Sequence, residues 1–137
     1  MTSAPPLPYR LLIARGMVAL VCALIGTLGL LWTVTTWAVV SPYGPLTYPP
    51  VTGVTIMVTI AATAVYGALT RLWPAPDRVF IRVAGIVLVV SWLPDISMLR
   101  HDPEATVGAV LVLMLMNVIV AGICVAVLTD RYSPISR

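Results

Sequence analysis

The chain has 137 residues, 60% hydrophobic and only 9% charged, with eight arginines, no lysine and five acids giving a formal charge of +3. A soluble domain carries about 25% charged residues, so this composition suits lipid rather than water as solvent. The arginines are scattered rather than run together, which gives no footing for a nucleic-acid partner.

A helical membrane crossing takes about 20 residues, so four crossings with short connections use the whole of 1–137 as one membrane domain. Residues 1–9, with three prolines among small and polar residues, read as a flexible tail. The first span is expected over about 14–40, where Gly16 to Val40 carries no charge. It is longer than the apolar core of a signal peptide and no small-x-small site closes it, so it is expected to stay uncleaved. Ala19, Ala23 and Gly26 share one face, as do Cys22, Gly26 and Gly29, and small faces let helices approach closely in lipid.

Ser41 to Pro50 is uncharged, holds four prolines and is expected to reverse the chain at an interface, with Trp37, Tyr43 and Tyr48 in an aromatic belt. The second span, about 51–70, has the clearest periodicity in the chain. Thr52, Thr55, Thr59, Thr63, Tyr66 and Thr70 recur at steps of three and four, so they line one inward face. Arg71 to Arg82 forms the main hydrophilic connection, and Asp77 reads as the N-cap of the third helix.

The third span, about 79–99, contains Pro94, which removes a backbone donor and is expected to kink or break the helix near Trp92. Asp95 comes directly after it, roughly four residues or about 6 Å from the outer end and within reach of water. Intramembrane carboxyl groups are costly and mark candidate sites. In the turn Arg100 to Glu104, Asp102 is expected to cap the fourth helix, with Pro103 and Glu104 in its first turn. His101, the only histidine, has no neighbouring ligand for a metal or haem, and Cys22 and Cys124 read as buried packing thiols that could face each other. No cofactor or metal is expected. The fourth span, about 105–129, places Asn117 near mid-membrane, where an asparagine hydrogen-bonds across helices; 130–137 is a polar tail.

Arginines number two before the first span, three in the second connection and two in the C-terminal tail, against none and one in the other two connections. The positive-inside rule then places both termini in the cytoplasm of a multi-pass plasma-membrane protein. The fold class is all-α, a four-helix up-down transmembrane bundle.

The run Ser91, Trp92, Leu93, Pro94, Asp95 within SWLPDISML, with LMLMNVIVAGICVAVLT and PLTYPPVTGV, resembles a family of uncharacterised four-span membrane proteins of actinobacteria and haloarchaea, classed only as a domain of unknown function. The resemblance covers about Arg10 to Thr129. It implies the four-span architecture and singles out Asp95, and it implies no activity. Members of that family often have histidine where this chain has Asn117, so a proton relay through histidine is not implied, whereas a hydrogen-bonding role is.

Function divides into competing expectations. In the leading one the protein is an interaction or accessory component in the lipid bilayer, a homo-oligomer or the partner of another membrane protein, with small and polar faces used for packing. In the alternative it is a small transporter or channel whose path is lined by Asp95, Asn117 and the threonine face at Thr55, Thr59 and Thr63. An enzyme ranks behind both, because acid-base chemistry needs a second positioned group, and Asp95, His101, Asp102 and Glu104 cluster only at the outer surface.

Overall fold

A computed structural model describes residues 5–40 and 42–129. Among them the regular elements are four α-helices: α1 Tyr9–Thr36, α2 Tyr48–Leu72, α3 Pro76–His101 and α4 Val107–Leu128. Each is long and apolar enough to cross a membrane, the architecture of a multi-pass membrane protein.

The helix ends lie somewhat outside the expected spans. α1 begins five residues early because Leu7 is buried and Pro8 opens the helix, so the expected tail over 1–9 is anchored at least from Leu7. The expected tail over 130–137 lies outside the described residues. Pro49 and Pro50 sit in the first turn of α2, where their missing donors are no loss. The hydrophilic connection expected from Arg71 to Arg82 shrinks to Trp73, Pro74 and Ala75, and Arg78 and Arg82 ride on α3. α3 runs unbroken through Pro94, so the break allowed for near Trp92 does not occur.

α1 organises the packing. Its buried residues Arg15, Ala19, Ala23, Thr27 and Leu31 recur every four positions, a narrow ladder of mostly small side chains. Glycines flank it at the contacts: a Cβ on Gly16 would come within 2.8 Å of Thr63 on α2, and one on Gly26 within 2.9 Å of Ile119 on α4. Such close approach is how helices associate where hydrocarbon surrounds them. α1 thus packs on both α2 and α4, α3 packs chiefly on α4, and α2 makes only slender contacts with α3 and with α4.

Two apolar clusters fill the interior. One, with Leu12, Ala23, Tyr66, Phe80, Val120 and Leu128, lies toward the arginine-rich end; the other, with Leu31, Val34, Tyr43, Leu46, Val51 and Met116, lies toward the opposite end. Tyr43 therefore leaves the expected aromatic belt and is buried, while Trp37 and Tyr48 stay exposed as a belt requires.

α1 closes with Ala38 at φ 48°, where the Val39 N–H reaches the Val34 carbonyl and the Ala38 N–H the Thr35 carbonyl. This is a Schellman ending with alanine in the left-handed position that glycine favours. Ala38→Gly is expected to raise stability by about 1 kcal/mol, since the strain relieved exceeds the entropy lost. Reversible unfolding in detergent measures it.

Candidate functional site

Between the two apolar clusters lies a polar layer. Thr27 occupies the ladder position between Ala23 and Leu31, and its hydroxyl lies 3.3 Å from that of Thr55 on α2 while also bonding the Ala23 carbonyl. On the other side of the bundle, Asn117 Nδ2 donates to Asp95 Oδ2 at 2.8 Å, joining α4 to α3. Asp95 is six residues from the end of α3, about 9 Å at 1.5 Å per residue, and only 8% exposed. It is deeper than expected because α3 runs two residues beyond Leu99, to His101, and it is buried rather than within reach of water. Asp95 Oδ1 has no hydrogen bond and the carboxyl no ion pair among the described residues. On the same segment of α3 the Trp92 indole N–H is buried without a partner among the described residues, a cost of about 1 to 3 kcal/mol.

The Asp95–Asn117 pair opens on a cleft of about 470 Å³ between α2 and α3, floored by α4. On α3 the cleft runs from Phe80 to Met98, about 27 Å at 1.5 Å per residue, most of the thickness of a bilayer's hydrocarbon. Its walls are largely valine, alanine and leucine; Thr27, Thr55, Ser91, Asp95, Asn117 and Cys124 are the polar or polarisable exceptions. Ser91 is turned to its own helix, donating to the Leu88 carbonyl at 2.7 Å. Val58, Val65 and Val87 are exposed along the rim, so one side of the cleft is open. The volume falls in the range of small-molecule sites, which are mostly apolar with a few converging polar groups.

The residues expected to line a path divide here. Asp95, Asn117 and Thr55 share the cleft. Thr59 and Thr63 do not: each donates to the carbonyl four residues back, and Thr63 packs against Gly16 of α1. The threonine face points inward as its periodicity requires, but mainly to let α1 and α2 meet.

Both ends of the bundle are tied by tyrosines that sequence reasoning missed. Tyr66, fully buried, donates to Asp77 Oδ1 at 2.7 Å and meets Phe80 edge-on at 5.2 Å. Asp77 is therefore not the N-cap expected of it; Ala75 holds that position, and Asp77 spends its oxygen on the phenol. Tyr43 donates to Asp102 Oδ2 at 2.9 Å, while Asp102 Oδ1 accepts from the Glu104 N–H at 3.0 Å. With both oxygens taken, Asp102 does not cap α4; Thr106 does, accepting the Ala109 N–H, so Pro103 and Glu104 stay in the turn. Arg15, expected merely to flank the membrane, is 1% exposed and donates to the Leu128 carbonyl at the end of α4. A guanidinium there meets the negative end of the helix dipole. The four-residue ladder Arg15, Ala19, Ala23 was the available signal. His101 is exposed and bonded to the Ser97 carbonyl, and no group of three metal-ligating side chains occurs among the described residues.

Burial pushes the Tyr43 phenol above its ordinary pKa of 10.0, and its bond to Asp102 with the charges of Asp102, Glu104 and Asp95 act in the same direction. The folded protein keeps this phenol neutral where the unfolded chain ionises it. Its contribution to stability is complete below about pH 10 and fades as pH rises through the higher folded value. Tyr43→Phe is expected to cost about 1 kcal/mol at neutral pH and to reduce the alkaline loss of stability. Unfolding from pH 7 to 11 checks both; an unchanged alkaline limb would count against the Tyr43–Asp102 tie.

No curated protein and no solved structure matches the chain. Residues 3–134 match a family of unknown function (DUF6069), nearly the whole length. The chain is a member of that family.

Proposed function

We propose that the protein binds an amphiphilic small molecule within the membrane. The guest's apolar body would enter the α2–α3 cleft from the side, and its one polar group would rest on Asp95 and Asn117. The carrying observation is the Asp95 carboxyl, bonded through Oδ2 to Asn117 and lining an apolar cleft. Placing an ionised carboxylate at membrane depth costs roughly 2.5 to 3.5 kcal/mol on insertion scales. A packing role alone would be served by an uncharged side chain at this position. The reading is nearest to the transporter alternative, with the site narrowed to Asp95, Asn117 and Thr55, and Thr59 and Thr63 assigned to packing.

Arg10, Arg15, Arg71, Arg78 and Arg82 gather at one end of the bundle, which supports both termini in the cytoplasm of a plasma-membrane protein and Asp95 in the outer half. A second reading, the accessory or oligomeric component, is favoured by Gly29, Gly85 and Gly122. A Cβ at each would meet nothing within 4 Å, so packing inside this bundle does not account for them.

Native mass spectrometry after gentle extraction from the membrane separates the two. The expected spectrum holds the chain with one small molecule, which Ala84→Trp, filling the cleft wall, removes without unfolding the protein. A stoichiometric second protein, or a guest that survives Ala84→Trp, would favour the accessory reading.

A further inference from the structure

We infer that the polar group of the guest is a cation, so that the cleft takes hydrophobic ammonium or onium compounds; the inference rests on the cleft being a binding site. Charge is distributed one way along the bundle. The half bearing Asp95 also carries Asp102 and Glu104, with Arg100 and His101 as the opposing basic residues, both exposed and neither lining the cleft. No arginine lines it at all among the described residues. The arginines of α1, α2 and the start of α3 stand at the far end; Arg82 is thirteen residues from Asp95, about 20 Å along α3.

Three guests can be compared on that field. An anionic head beside Asp95 would add like charge in a low-dielectric wall, which is strongly unfavourable. A neutral donor could bond Oδ1, yet would leave the carboxylate charge uncompensated in hydrocarbon. A monocation pairs with the carboxylate by charge, adding a charge-assisted hydrogen bond where it carries an N–H, and makes the complex neutral, so no net charge is carried into the bilayer. Asn117 favours the same outcome. By donating to Oδ2 it orients the carboxyl and occupies one oxygen, leaving Oδ1 as the acceptor for a guest. The walls add selection for an apolar body: beyond the few polar groups named above, the guest meets mainly valine, alanine and leucine, with Phe80, Met98, Met116 and two prolines.

The test uses three probes of related shape and different charge with the protein in lipid nanodiscs, each corrected against protein-free nanodiscs. These are tetraphenylphosphonium, neutral triphenylphosphine oxide and tetraphenylborate. The cation is expected to bind about tenfold or more tightly than either other probe. Asp95→Asn, which keeps an acceptor for Asn117, should abolish that preference, and Asp95→Glu should retain it. Equal binding of all three probes, unaffected by Asp95→Asn but blocked by Ala84→Trp, would overturn the cation inference and leave the cleft as an apolar binding site. Preference for the borate would overturn it too, placing an anionic head toward the arginines. If no probe binds above empty nanodiscs, both the cation and the amphiphile-binding reading fail.

Discussion

The four-residue ladder on α1 is the constraint that sets the arrangement of the whole bundle. Ala19, Ala23 and Thr27 make its middle a stripe of small side chains, so the neighbouring helices come close to it there. α2 does so by presenting Thr59 and Thr63, whose hydroxyls bond their own backbone and leave a slim surface. α4 does so with Ile119 over Gly26, and Arg15 clamps the end of α4 through the Leu128 carbonyl. With α2 and α4 both drawn to α1, α3 is left to pack chiefly on α4. The α2–α3 seam remains open along one side, and that opening is the cleft.

Within this frame the polar groups fall into two kinds. Tyr66 with Asp77, and Tyr43 with Asp102, tie helices or connections together at the two ends of the bundle. Asp95 with Asn117 lies within the spans instead, where the carboxyl lines an apolar cleft. An interhelical hydrogen bond in lipid contributes about 0.6 kcal/mol on average, well below the insertion cost of a charged aspartate. Asn117 alone therefore does not offset the presence of Asp95. In the proposed reading a bound guest with a positive group supplies that compensation, and the cleft has the volume and the apolar walls to hold one.

Much of this was legible in the sequence. Charge-free runs and proline-rich breaks mark four spans, the threonine period marks the inner face of α2, and Asp95 and Asn117 stand out as polar groups at membrane depth. What was not legible depends on how the helices meet. Sequence spacing puts Asp95 and Asn117 on different helices, twenty-two residues apart, and only the packing of α3 on α4 brings them within 2.8 Å. The same limit separates Thr55 from Thr59 and Thr63: at their level the cleft is lined by Val58, Ala61, Ala62 and Val65, while each four-residue step advances about 40° around α2 and turns Thr63 toward Gly16 of α1. Asp77 and Asp102 each stand where a helix cap is expected, and each is diverted by a distant tyrosine hydroxyl that no local pattern announces. Pro94 suggests a break when read alone, whereas α3 continues through it, as transmembrane helices tolerate proline.

Occupation of the α2–α3 cleft by a guest is best tested by photolabelling the protein in its native membrane with an apolar diazirine and mapping the modified residues. Labels are expected to concentrate on the cleft walls, at Val58 and Ala61 of α2 and at Ala84 and Val87 of α3, and to be suppressed in Ala84→Trp. Labelling spread evenly over lipid-facing positions such as Ile60, Ile86 and Val89, with no excess in the cleft, would contradict a guest there.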